Sequence, residues 1–75
     1  MLRVEMLICK NEKRHTDCQW EDASLLYHDD SYLELMAILE LNVTKSHIAH
    51  RILKDGVPVL TIKFGNDGKL FIKEA

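Results

Sequence analysis

The chain is poor in the residues that punctuate or staple a fold: one proline, three glycines and two cysteines in 75 residues, with five aromatics among them. Two cysteines are too few to define a disulfide scaffold. The glycines form no phosphate-cradling loop. No apolar run approaches the ~20 residues needed to span a bilayer, so no membrane partner is expected. The start, Met1-Leu2-Arg3-Val4-Glu5-Met6, carries charge within its apolar run, unlike a signal peptide. The expected setting is a reducing cytoplasm with Cys9 and Cys18 as free thiols. No Ser-His-Asp or Cys-His order is present, and no enzyme activity is expected.

What is present suffices for one domain, residues 1–75, since the chain is 47% hydrophobic and 29% charged. A domain this short buries only about 60% of its unfolded surface, which makes dimerisation a reasonable route to stability. The net charge of −2 argues against a general nucleic-acid coat, but its distribution is uneven. Residues 1–43 hold four Lys/Arg against nine Asp/Glu, whereas residues 44–75 hold six against three. The second half therefore offers a preferred side to a polyanion.

Leu2 to Cys9 is rich in Val, Ile and Leu and reads as a strand, and Lys10 to His15 as a loop. Thr16-Asp17-Cys18-Gln19 has capping-box spacing and predicts a short helix carrying Trp20, Ala23, Leu26 and Tyr27. His28-Asp29-Asp30 breaks that pattern. Ser31-Tyr32-Leu33-Glu34 is a second capping box opening a central helix, apolar through Leu41. For Ser46 to Lys54, strand alternation leaves neither face apolar. A helix gathers Ile48, Ala49, Ile52 and Leu53 on one stripe, with Thr44 as N-cap and Gly56 as stop, so a helix is predicted. Val57 to Phe64 and Lys69 to Lys73 read as strands about the Gly65-Asn66-Asp67-Gly68 turn, with Pro58 at a sheet edge or unpaired. A competing parse makes Asp55-Gly56 a two-residue hairpin turn.

The order helix, tight turn, helix, hairpin, carried by Leu41-Asn42-Val43-Thr44-Lys45-Ser46-His47-Ile48, Ile52 to Pro58 and the Gly65/Gly68 hairpin, resembles the small winged helix-turn-helix domains of excisionases and MerR-type regulators. The chain departs from that pattern at Asn42, where glycine is usual, at Ile38, where a small residue is usual, and at Arg51, where an apolar one is. The expected fold is thus α+β: an N-terminal strand, two to three helices and a C-terminal β-hairpin wing. The alternative is a strand, helices and a three-stranded antiparallel meander.

The resemblance implies sequence-specific binding of double-stranded DNA by a small transcriptional regulator or excisionase-like factor, of the kind that phages and mobile elements encode. Thr44, Lys45, Ser46 and His47 would meet base edges or phosphates at the helix N-terminus, joined by His50 and Arg51. Lys63 and Lys69 would flank the wing tip. No cofactor is expected. Cys9, His15, Cys18 and His28 lack the doubly paired spacing of a zinc site, so no metal is expected either. His47 and His50, three apart, read as surface histidines, and Glu21-Asp22 and Asp29-Asp30 as helix caps and dipole partners. The alternative function is a small inhibitor that docks on a protein partner through its acidic helical half, Glu21 to Glu40 with Trp20, Tyr27 and Tyr32, possibly as a DNA mimic.

Overall fold

The computed structural model describes residues 1–27 and 31–75. Among these it contains five strands and one α-helix: β1 (Leu2–Asn11), β2 (Thr16–Asp22), a short 3-10 turn (Ser24–Leu26), α1 (Tyr32–Ser46), β3 (His50–Lys54), β4 (Val57–Phe64) and β5 (Leu70–Glu74). The strands form one antiparallel sheet in the order β2-β1-β3-β4-β5. The helix packs on one face, over β4 and β5. Among the described residues no helix is long and apolar enough to cross a membrane.

This architecture overturns the winged helix-turn-helix: among the described residues its two to three helices reduce to one α-helix, and the several helices of the alternative fold do so as well. Two segments account for the difference. Thr16–Asp22 is an edge strand despite its capping-box spacing, because the register Leu7↔Trp20, Cys9↔Cys18 and Asn11↔Thr16 zips it onto β1. Ser46 to Lys54 contains no helix: α1 runs on through Asn42 to Ser46, and β3 begins at His50. Asn42, placed in a turn by the sequence, lies within the helix and donates to the Ile38 carbonyl at 3.0 Å. The stop comes at His47, which takes the left-handed conformation (φ 59°) and donates its N–H to the Val43 carbonyl. Glycine is usual at that position. The Asp55-Gly56 turn forms instead of a helix terminus. Both residues have positive φ (52° and 82°), as a two-residue hairpin turn between twisted strands requires.

The cap at Ser31 is present, its side chain accepting from the Glu34 N–H, and it starts the helix where the sequence places it. Leu35, Leu39 and Val43 then recur at four-residue spacing and face the sheet. There they join Val4, Ala23, Ile52, Leu60 and Ile62 in one buried cluster. Val4, Ile52 and Leu60 form a continuous cross-strand row beneath the helix. Between Ile52 and Leu53 the register shifts, leaving Val59 as an extra residue in β4 beside Pro58. The proline's missing donor is thus accommodated at a bulge near a strand start. The break noted at His28-Asp29-Asp30 lies outside the described residues.

Cys9 and Cys18 are not free. They are a cross-strand pair with Cα atoms 3.9 Å apart, joined as a disulfide. The free-thiol argument for a reducing compartment therefore falls.

Candidate functional site

Each strand alternates its side chains between two faces, and among the described residues the helix covers only one of them. Two cross-strand rows lie on the uncovered face. One pairs Trp20 with Leu7, whose N–H bonds the Ala49 carbonyl at 2.9 Å, and on the far side of β3 pairs Lys63 with Phe71. The next runs Asp22, Glu5, Arg51, Thr61, Lys73. Arg3 and Leu53 follow, and the Cys9–Cys18 disulfide lies beyond the Trp20 end.

The charges on this face are sorted. Arg51 places its guanidinium carbon 4.4 Å from the Trp20 ring centroid and directs both Nε and Nη2 to one oxygen of Glu5, each at 2.7 Å. Asp22 meets Arg3 at 3.5 Å and accepts from the Ser24 hydroxyl at 2.7 Å. That hydroxyl bond, first, and the Ser24 N–H and Arg3, after it, hold the Asp22 carboxyl below its ordinary value. Both carboxylates of the face thus already have cationic partners. Lys63 lies 5.1 Å from the Phe71 ring centroid, and Phe71 is 51% exposed. Among the described residues the face carries Arg3, Arg51, Lys63 and Lys73 against Glu5 and Asp22, a positive surface on a chain whose net charge is −2.

Beside the first row the sheet has a gap. β1 continues to Asn11 while β3 begins only at His50, so β1 and β4 part around a cleft of about 390 Å³. Leu7, Ile8, Ile48 and Phe64 line it together with Lys63, His15, His47 and Glu12. His47 stacks on Phe64, ring centroids 4.1 Å apart and planes 11° from parallel.

Of the residues expected to touch DNA, Arg51 and Lys63 share this face. The others are dispersed. Thr44, Lys45 and Ser46 form the last turn of α1 rather than a first turn, and the Thr44 and Ser46 hydroxyls bond back to the Glu40 and Asn42 carbonyls at 2.8 Å. Their helix end presents carbonyls, which repel phosphate. His47 is the helix C-cap beside the cleft, and Lys69 stands in the turn before β5, its N–H bonded to Asp67. His50, expected as a surface contact, is 4% exposed. Trp20, read from the sequence as a helix residue, and Phe71, not singled out at all, were missed, though the alternations Cys18-x-Trp20 and Phe71-x-Lys73 carried the signal; Arg3 and Lys73 enter the site only through strand register. Among the described residues no three His, Cys, Asp or Glu side chains cluster as metal ligands. His28, Asp29 and Asp30 lie outside the described residues.

His50 is buried and forms no ion pair among the described residues. Its Nδ1 lies 2.9 Å from the Ile48 carbonyl and its Nε2 3.2 Å from the Tyr27 hydroxyl, an arrangement that the neutral ring satisfies by donating at the first and accepting at the second. Burial, partly offset by the Ile48 bond, pushes the ring below the ordinary histidine value of 6.5, and burial pushes Tyr27 up. The unfolded chain then binds a proton as pH falls through about 6.5 while the native chain still refuses it, so the native state loses stability in that window. Urea midpoints measured between pH 7.5 and 5.5 are expected to fall with pH, and the slope is expected to vanish in His50→Phe. A flat profile in the parent protein would mean that the ring accepts a proton in place.

Compared with known proteins, the chain matches no family model, no curated protein and no solved structure.

Proposed function

We propose that this protein binds single-stranded nucleic acid on the uncovered face of its sheet. The observation that carries the reading is the composition of that face: Trp20 on one edge strand and Phe71 on the other, with Glu5 and Asp22 held by Arg51 and Arg3 and Lys63 and Lys73 paired to no carboxylate among the described residues. Bases stack on exposed aromatic rings while cations track the phosphates, a mode that needs no recognition helix. Phe71 is the stacking platform, and the half-buried Trp20 borders the face. The cleft of about 390 Å³ next to Lys63 gives an unstacked base somewhere to go.

The outer side of α1 favours a second reading, a protein partner, because Leu33 and Leu41 are 68% and 57% exposed there beside Glu34. One experiment separates the two.

Trp20 is the only tryptophan and reports on the face directly. Titration with a short oligodeoxythymidine at low salt is expected to quench its fluorescence, with a plot of log K against log salt falling with slope about −1.4 to −2.8 for two to four phosphates. Phe71→Ala should weaken binding by about 1–3 kcal/mol, the worth of one stacked base. Absence of any change in the emission or in the hydrodynamic size of the oligonucleotide at low salt would overturn the nucleic-acid reading and leave the helix face as the binding surface. Equal affinity for a duplex would mean that phosphates alone are recognised and that stacking plays no part.

A further inference from the structure

We infer that a second copy of the chain pairs with the free edge of β5, joining two sheets into one across a two-fold axis at Ile72. β5 ends the strand order, and its own hydrogen bonds show which groups point outward. The Lys69 carbonyl and the Ala75 N–H both bond toward the β4 side, at 2.8 and 3.1 Å. N–H and C=O of one residue point the same way in an antiparallel ladder, so Phe71 and Lys73 also face β4. Leu70, Ile72 and Glu74 therefore turn their backbone groups out to the edge.

An antiparallel copy centred on Ile72 matches these groups one for one, Ile72 with its twin and Leu70 with Glu74 of the other chain. The side chains agree with that register. Phe71 falls opposite Lys73 of the second copy, twice, as a non-hydrogen-bonded pair in which side chains come closest, about 4.5 Å between Cα atoms. An exposed aromatic ring thus receives a cation on each side of the axis. The two Ile72 side chains, each 40% exposed, meet on the helix side of the sheet. Natural sheets usually guard an edge, and this molecule guards its other one. β2, Thr-Asp-Cys-Gln-Trp-Glu-Asp, carries three acids and no base, so two copies of it repel. β5, Leu-Phe-Ile-Lys-Glu, carries one charge of each sign. The surface that binds its own copy is the balanced, apolar edge.

A five-residue pairing lies at the small end of specific interfaces, so the measurement belongs at high micromolar concentration. Sedimentation equilibrium of the protein alone is expected to show the mass rising from one chain toward two and no further. In a sample mixing two labelling patterns, an interchain NOE between the Hα protons of Phe71 and Lys73 is expected, as are slowed exchange of the Leu70, Ile72 and Glu74 amides. Ile72→Lys, which sets like charges on the axis, and Lys73→Glu are each expected to abolish the rise, while Lys73→Arg keeps it. Circular dichroism checks that the variants fold, and the exposed Lys73 site stands in should Ile72→Lys not. A single-chain mass at every concentration overturns the proposal. So does a dimer without the interchain NOE, which would place the contact elsewhere, or a mass climbing past two chains, which would mean head-to-tail joining of β5 to β2. Since no nucleic acid is present, the result is independent of the binding face.

Discussion

Replacing Leu39 by alanine is expected to cost about 2–5 kcal/mol, the range for deleting a fully buried leucine and leaving its cavity. Leu39 is 0% exposed and sits midway along the row Leu35, Leu39, Val43 that joins the helix to the sheet. A domain of this length holds roughly 4–11 kcal/mol in total, so this one truncation removes a large part of it. Collapse around the gap is limited because the neighbours in the cluster come from both layers, Val4, Ile52, Leu60 and Ile62 below and the helix itself above. Leu41→Ala, two residues away but 57% exposed, is the matched control, expected within about 0.5 kcal/mol of the parent. Urea unfolding decides it: the midpoint of Leu39→Ala should drop sharply with the slope unchanged. Comparable losses at both positions would mean that the outer side of the helix is covered in solution.

The second large effect lies in the β1–β2 hairpin. Cys9 and Cys18 are nine residues apart, and cross-linking a loop of that length removes denatured-state entropy equivalent to about 2.6 kcal/mol. Reduction, or replacement of both cysteines by alanine, is expected to lower stability by about that amount. The effect should concentrate at the hairpin end, because toward Asp22 the same strand is tied down separately: the Ala23 N–H bonds the Val4 carbonyl at 2.8 Å, and Ser24 bonds the Val4 N–H at 3.1 Å. Hydrogen exchange with and without reductant tests the distribution. Amides near Asn11 and Thr16 should lose protection first, and those of Val4 and Ile52 last. An unchanged unfolding midpoint together with two thiols titratable in the untreated native protein would show that the bond does not form.

How much of this was legible depended on whether a segment faces the core on one side or two. Ser31-x-x-Glu34 marked the start of α1 because a cap is a local device. Leu2 to Cys9 and Val57 to Phe64 were legible because their apolar content exceeds anything a loop contains. β3 was not. It is the third strand of five, and alternation between an apolar and a polar face describes strands buried on one side only. On its inner face stand Ile52 and His50, a histidine that counts as polar until Tyr27 and Ile48 are known to satisfy it. On its outer face stands Leu53, 8% exposed, beside an Arg51 whose charge is absorbed by Glu5 and Trp20. Long-range partners thus erased the periodicity, and the helical stripe seen in its place came from residues that in fact point to opposite sides. β2 failed for a different reason: Thr16 and Gln19 fit a cap by spacing alone, while the competing signal was the symmetric placement of Cys9 and Cys18 about the turn between Asn11 and Thr16. Thr44, Lys45, Ser46, His47, His50 and Arg51 dispersed because they had been gathered on the surface of that helix. Arg51 and Lys63 remain together only because strand register, rather than helical pitch, aligns them.

The first of the five described strands in sequence is not an edge strand. β1 lies between β2 and β3, so the opening residues of the chain hold together two parts that are each local in sequence, the β1–β2 hairpin and the β3–β4–β5 meander. Its ion pair to β3, Glu5 with Arg51, spans 46 residues. During synthesis the hairpin is complete early, yet β1 keeps one row of backbone donors and acceptors exposed until Lys54 has been added. Such distant pairing slows folding, and an open edge invites the wrong neighbour in the meantime. The two ends of the chain are also unequal: shortening it from the far end strips an outer strand, whereas shortening it from the near end splits the sheet.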